Sequence, residues 1–188
     1  MKRRDFILLT LSGLLLGHEA WGMTAEPERP DAALLADELE KYPRCVICNM
    51  DRRKFHHARH LLHYADGLVQ GSCSVHCAAK CMLRERRRGF IAIHAPDFAA
   101  ALDPRPLVEA TTATYLIGSD LRGVMTPVSK VSFARREAAL AAKQIYGGEL
   151  AGFAAAVRAS MEEMANGVSR RYENDRERLL RKARAAPA

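Results

Sequence analysis

The chain has 188 residues, 29 Lys plus Arg against 22 Asp plus Glu, a formal net charge of +7 and a pI near 9.4. That length suits one domain or two small ones, and 48% hydrophobic with 27% charged residues excludes both a multi-span transporter and a disordered polar chain. Five cysteines, seven methionines and seven histidines are a large stock of soft and borderline metal ligands for so short a chain.

The first element is a leader. Lys2, Arg3 and Arg4 precede an apolar stretch over 6–16, followed by the small residues Ala20 and Gly22, which is the grammar of an export signal. The paired arginines before Asp5, Phe6, Ile7 and Leu8 predict a twin-arginine signal over 1–22, cleavage after about Gly22 and a periplasmic mature protein. An apolar run of about a dozen residues is short for the roughly 30 Å of a hydrocarbon core. The first cysteine is Cys45, so a lipid-modified N-terminal cysteine, and hence a lipoprotein, is not expected. Loss of Lys2, Arg3, Arg4, Asp5 and Glu19 would leave a net charge of +6.

Residues 23–44 form a polar lead with one short helix expected over 31–41. A metal-binding domain is expected over 45–165, in two halves at 45–95 and 107–165, followed by a basic helical tail at 166–188. In the first half CVICNM at 45–50 reads as a knuckle. Strands over 58–64 and 68–71 are joined through Ala65, Asp66 and Gly67, an Asp-Gly hairpin signal. Ser72 or Ser74 then caps a helix running to about Arg88 and stopped by Gly89. A short strand at 91–93 and an irregular linker over 97–106 lead to the second half. There a strand over 112–117, a turn over 119–123, a strand over 124–133 and a helix over 134–146 are expected, with Gly147 and Gly148 as the stop. Glu149 and Leu150 read as a short link to a last helix over 152–165. The fold class is α+β: two similar hairpin-plus-helix (ββα-type) halves, the first carrying a CxxC knuckle, plus a C-terminal helix.

In the tail Arg170, Arg171, Arg176, Arg178, Arg181, Lys182 and Arg184 oppose Glu173, Asp175 and Glu177, giving a local charge of +4. Most of the basicity of the protein therefore sits there. The spacing suits a solvated helix laced with i,i+4 pairs. Peripheral contact with anionic lipid or with an acidic partner is the alternative, and an exported protein is not expected to meet nucleic acid.

Cys45-x2-Cys48 followed by Cys73-x3-Cys77 is close to the spacing of a zinc knuckle and helix. On one helix Cys73, His76, Cys77 and Cys81 share a broad face. Three readings stay open: a structural zinc held by four ligands, a pair of disulfides with one thiol left over, and a copper site. Thiolate and thioether favour Cu(I); Met50 lies two residues beyond Cys48, and Met125 follows Gly123 in GVMTPVS, a segment without apolar alternation to bury it. Cys81 on an apolar helix face reads as core.

Two segments carry a family resemblance. CVICNM is similar to a C-x-x-C-G-M motif, and LVEATTATYLIGSDLRGVMTPVSKVSFA, followed by a helix and Gly147-Gly148, resembles the corresponding stretch of the NosL-type copper accessory proteins of nitrous oxide reductase. The likeness runs from about Cys45 to Phe153. It implies a periplasmic metallochaperone with two similar halves, not an enzyme, that binds Cu(I) and passes it toward the copper centres of nitrous oxide reductase through a membrane ABC-type assembly complex during denitrification. Residue by residue it implies Cys45, Cys48, Met50, Cys73 and Met125 as metal ligands. Asn49 stands where the motif has Gly, and Cys77, Cys81 and His76 are additional to the pattern, which keeps zinc as the alternative metal.

His56, His57, His60 and His63 form a dense tract. In an extended strand His57 and His63 would point one way and His56 and His60 the other; such a tract collects copper or zinc weakly, and a solvated cluster is the simpler reading. His94 reads as structural. Cys73 or Cys77 near His76 imitates an activated thiolate, but no orienting carboxylate accompanies it, and CxxC lacks the βαβ setting of a thioredoxin-like redox site.

Overall fold

The computed structural model describes Leu35 and residues 37–185; the leader, most of the polar lead and the last three residues lie outside the described residues. Chain order is α1 (Glu38–Lys41), β1 (His60–Tyr64), β2 (Val69–Ser72), α2 (Val75–Arg84), β3 (Phe90–Pro96), β4 (Leu107–Glu109), β5 (Thr114–Ile117), β6 (Lys130–Phe133), α3 (Arg136–Tyr146), β7 (Glu149–Gly152) and α4 (Phe153–Ala185). Two antiparallel sheets result, ordered β2-β1-β3-β4 and β6-β5-β7.

Each half is an α+β unit in which the first strand is central. It pairs with its hairpin partner on one side and, on the other, with the strand that follows the helix. The expected ββα halves stand, each extended to ββαβ because β3 and β7 return to close the sheet. β7 was expected to be a link: four residues after two glycines carry little strand signal of their own, and their pairing with Thr114–Ile117 comes from more than thirty positions earlier in the chain.

Local chemistry explains the ends of the elements. Gly67 takes the left-handed conformation in the β1–β2 turn with φ of 84°, as an Asp-Gly turn demands. Ser74 is the N-cap of α2, its hydroxyl accepting from the Cys77 backbone N–H at 3.3 Å. The helix stops at Arg84, one turn before the expected Arg88. Strand β6 covers only Lys130–Phe133 of the expected 124–133. Met125 takes φ of 70° and Pro127 cannot donate to a ladder. A Cβ on Gly123 would lie 2.1 Å from the Thr126 carbonyl oxygen, so the loop folds on itself rather than extending. α4 does not end near 165 but continues unbroken into the basic tail.

The main core lies between the first sheet, α2 and the start of α4, with Leu62, Tyr64, Val75, Ala78, Ile93, Tyr115, Phe153 and Ala156 buried together; Cys81 belongs to it. A smaller cluster of Leu116, Val131, Phe133 and Ala139 lies under α3. Among the described residues no helix is long and apolar enough to cross a membrane.

His60 joins the halves. Its ring stacks against Tyr115 and Phe153. Its Nδ1–H donates to the Ala58 carbonyl, and Tyr115 Oη donates to Nε2, both at 3.0 Å, the tautomer this network requires. The tract is thus divided: His60 faces the core, His63 points to the other sheet face, and His56 sits in a turn before β1, accepting from the Arg105 backbone N–H at 3.2 Å. Burial pushes the His60 pKa down to about 4. As pH falls below about 6.5 the unfolded chain takes up a proton that the folded chain refuses until about pH 4. Stability is therefore expected to decline across that window, by about 3 kcal/mol at most from this group. Urea unfolding at about pH 7 and pH 5 checks it: His60→Gln should lose less stability than wild type between the two, and equal losses would exclude His60 as the source.

Candidate metal centre

Residues 43–52 form a tight knuckle. The Cys45 N–H donates to the Met50 carbonyl at 2.9 Å and the Asn49 N–H to the Cys45 carbonyl at 2.9 Å. Asn49 sits at φ of 61°. The motif's glycine position is thus left-handed, and Asn is one of the few side chains that tolerate it. Val46 N–H donates to the Gly71 carbonyl at 3.0 Å, docking the knuckle on β2 just ahead of Cys73.

This docking meets the capped start of α2. Cys73 precedes the Ser74 cap and Cys77 follows one turn later, so both thiols face the knuckle. The sulfurs of Cys45, Cys48, Cys73 and Cys77 all lie within 4.8 Å of one another. Cys48 to Cys73 is 3.4 Å, Cys73 to Cys77 3.7 Å and Cys77 to Cys48 3.8 Å. A tetrahedral ion with metal–sulfur bonds of about 2.3 Å has sulfur–sulfur edges of about 3.8 Å, and a three-coordinate site needs nearly the same triangle. Cys45, Cys73 and Cys77 are buried and Cys48 is half-buried, so Cys48 forms the open edge.

The four thiols share their protons unequally. Cys45 is held far below the usual thiol range, with the neighbouring Cys73 and Cys77 thiols the largest cause and the Cys48 and Ile47 backbone N–H groups next; burial opposes this. Cys73 and Cys77 are pushed up, with the anionic Cys45 beside them the largest cause. A second and third thiolate in so small a volume require a cation. Cys81, outside the cluster, is pushed up to about 12 by burial, as befits a core thiol.

Arg52 braces the assembly. It is fully buried; Nε donates to the Ser72 carbonyl at 3.1 Å, and the two terminal nitrogens donate to the Tyr42 carbonyl at 2.5 Å and the His60 carbonyl at 3.1 Å. It pairs with buried Glu38 at 2.7 Å, which also holds Arg59 at 2.5 Å. The guanidinium thereby ties the knuckle to the β2–α2 junction.

Of the residues expected from sequence, Cys45, Cys48 and Cys73 converge, and Met50 packs against the cluster with Ile47, Phe55 and Val124. Met125 follows Val124, 40% exposed, and lines an open groove with His76, Lys80, Glu163 and Met164. Cys77 joins the thiols although the family resemblance did not supply it; its signal was the x3 spacing from Cys73 on a capped helix. His76 is buried and its Nδ1 has no hydrogen-bond partner among the described residues. Among the described residues the histidine tract forms no three-ligand cluster.

Among solved structures, the chain is similar to the crystal structure of the copper chaperone NosL from Shewanella denitrificans, at 21% identity over 58% of this chain and 86% of that one, with a TM-score of 0.48. It is also similar to the solution NMR structure of the apo-NosL protein from Achromobacter cycloclastes, at 22% identity over 50% and 82%, with a TM-score of 0.36. No curated protein matches. The NosL family profile matches residues 36–161, which spans the knuckle, both sheets and the buried start of α4, and the chain therefore belongs to the NosL family.

Proposed function

We propose that this chain is a periplasmic Cu(I) carrier, exported by its twin-arginine leader, that delivers copper for assembly of the copper centres of nitrous oxide reductase, through that enzyme or its membrane ABC-type complex. The observation that carries the reading is the convergence of four sulfurs on one point with a single half-buried edge at Cys48. A carrier must hold Cu(I) in soft ligands and still surrender it. Buried thiols exclude water, while one reachable thiol permits stepwise ligand exchange with an acceptor. Membership of the NosL family and the thioether of Met50 beside the thiols favour copper, since thioether is a ligand zinc rarely takes.

A second reading has its own support: the sulfur spacings equally suit a closed four-thiolate zinc, which would stabilise the knuckle rather than travel. Anaerobic titration with Cu(I) and with Zn(II) against competing chelators, followed by X-ray absorption of the loaded protein, separates the two. The carrier reading predicts that Cu(I) displaces zinc and gives a sulfur-only shell of three or fewer thiolates. Retention of zinc under excess Cu(I) would overturn it.

The thioethers give a sharper expectation. Met50→Leu keeps apolar bulk and is expected to weaken Cu(I) by about tenfold, or about 1.4 kcal/mol, and to leave Zn(II) affinity unchanged, while Met125→Leu does the same only if the groove that holds Met125 reaches the bound ion. Unaltered Cu(I) affinity in Met125→Leu would remove that residue from the site.

A further inference from the structure

Helix α4 is buried only near its start, at Phe153, Ala156, Val157 and Ser160. Glu163 and Met164 are its last anchors, Glu163 pairing with Lys130 and accepting from the Val128 N–H next to the loop that carries Met125, and Met164 packing on the main core. Gly167 follows, a helix-weakening residue where the chain leaves the body. Residues 168–185 are then exposed throughout, a helix of about 27 Å that lies beyond the family match, which ends at 161.

The arm has one apolar seam. Val168, Tyr172 and Leu179, exposed by 70%, 68% and 62%, fall at spacings of four and seven and share a face. Arg170, Arg171 and Lys182 add positive charge that no ion pair among the described residues offsets, whereas Arg178 and Arg181 pair with Asp175 and Glu177. At its base, Arg170, Arg171 and Val168 line the same groove as Met125 and His76.

We propose that this arm is a docking surface for an acidic helical segment of a partner protein, seated on the Val168–Tyr172–Leu179 seam. Charge complementarity selects the partner. The seam carries Asp175 and Lys182 along it, and only Leu180 adds apolar surface beside it, whereas a helix that lies in a lipid interface needs a broad apolar face. A second copy of the arm would set +4 against +4. On the delivery reading the partner would be the copper acceptor, brought over the groove that holds Met125, but the docking itself requires no metal.

The test uses the full-length, metal-free chain and a synthetic acidic heptad-repeat peptide with Leu seam positions and Glu flanks. A scrambled peptide of the same composition and vesicles of equal parts phosphatidylglycerol and phosphatidylethanolamine serve as competitors for the assignment. The heptad peptide is expected to bind more tightly than the scrambled one, in a salt-dependent way. The triple variants V168S/Y172S/L179S and R170Q/R171Q/K182Q, all at exposed positions, should each weaken binding about tenfold or more with circular dichroism unchanged. Equal binding of both peptides, no binding, stronger binding to vesicles, or self-association of the chain in sedimentation would each overturn the proposal. Because copper is absent throughout, failure of the carrier reading and failure of the docking arm are separate results.

Discussion

Cys77→Ser is expected to lower Cu(I) affinity by about two orders of magnitude, as much as Cys48→Ser or Cys73→Ser, while Cys81→Ser leaves it unchanged. Structural zinc–thiolate sites bind with about 10–16 kcal/mol shared among four ligands, so one thiolate carries roughly 3 kcal/mol, or about a hundredfold. Cys48, Cys73 and Cys77 form the triangle with edges of 3.4, 3.7 and 3.8 Å, the smallest set able to hold a three-coordinate ion. A serine hydroxyl in their place is a hard, poorly ionised donor that does not replace a thiolate for a soft cation. Cys81 lies in the apolar core against Leu62 and Tyr64, so its loss concerns packing rather than the ion. The fourth thiol discriminates between the metals. If copper is three-coordinate on the triangle, Cys45→Ser should cost Cu(I) clearly less than the other three substitutions, because Cys45 then stands outside the set of coordinating thiolates. If the resident ion is a four-coordinate zinc, all four substitutions should cost Zn(II) alike. Anaerobic competition titrations on the five single variants, with unfolding curves to confirm that each still folds, provide the comparison. A Cys77→Ser protein with wild-type Cu(I) affinity would refute a role for the helix thiol.

The elements that frame this centre were legible because their signals are local. The Asp-Gly turn, the Ser74 cap and the CxxC knuckle each rest on residues within a few positions of one another, and all three stand where the sequence places them. What escaped was set by distant chain. Strands β4 and β7 are three and four residues long and exist because β3 and β5 offer them an edge. The apolar residues of 124–129 suggested strand, but the close packing of Gly123 on the Thr126 carbonyl and the left-handed Met125 turn that segment into a loop. At the site, three of the four converging cysteines were named as ligands, and Cys77 was visible only as a spacing. No pattern pointed to Arg52, because a buried arginine is recognised by the carbonyls it meets, and those belong to Tyr42, His60 and Ser72 on three different segments.

Arg52 carries the other large expectation: Arg52→Ala should destabilise the fold by about 3–5 kcal/mol, the cost typical of breaking a buried ion pair from one side. The substitution leaves Glu38 buried with Arg59 alone and strips three carbonyls of a charged donor. Lys would restore the charge but not the fork that reaches Tyr42, Ser72 and His60 together, so Arg52→Lys should recover only part of the loss. Gly71→Ala tests the same junction from the opposite side. A Cβ there would lie 2.6 Å from the guanidinium carbon, which must move or push β2 away, and overpacking of this kind costs about 1–3 kcal/mol. Because Ser72 precedes Cys73 and Pro43 accepts from the Arg52 N–H at 2.9 Å, either change should also loosen the fit between the knuckle thiols and the helix thiols. Urea unfolding of the metal-free protein measures the first effect, and metal affinity at a denaturant-free baseline measures the second. If Arg52→Ala and Gly71→Ala lower stability with no loss of affinity, Arg52 supports the fold alone. The brace between the two cysteine pairs requires both to fall together, with the double variant losing less than the two singles added, since each disturbs the same contact.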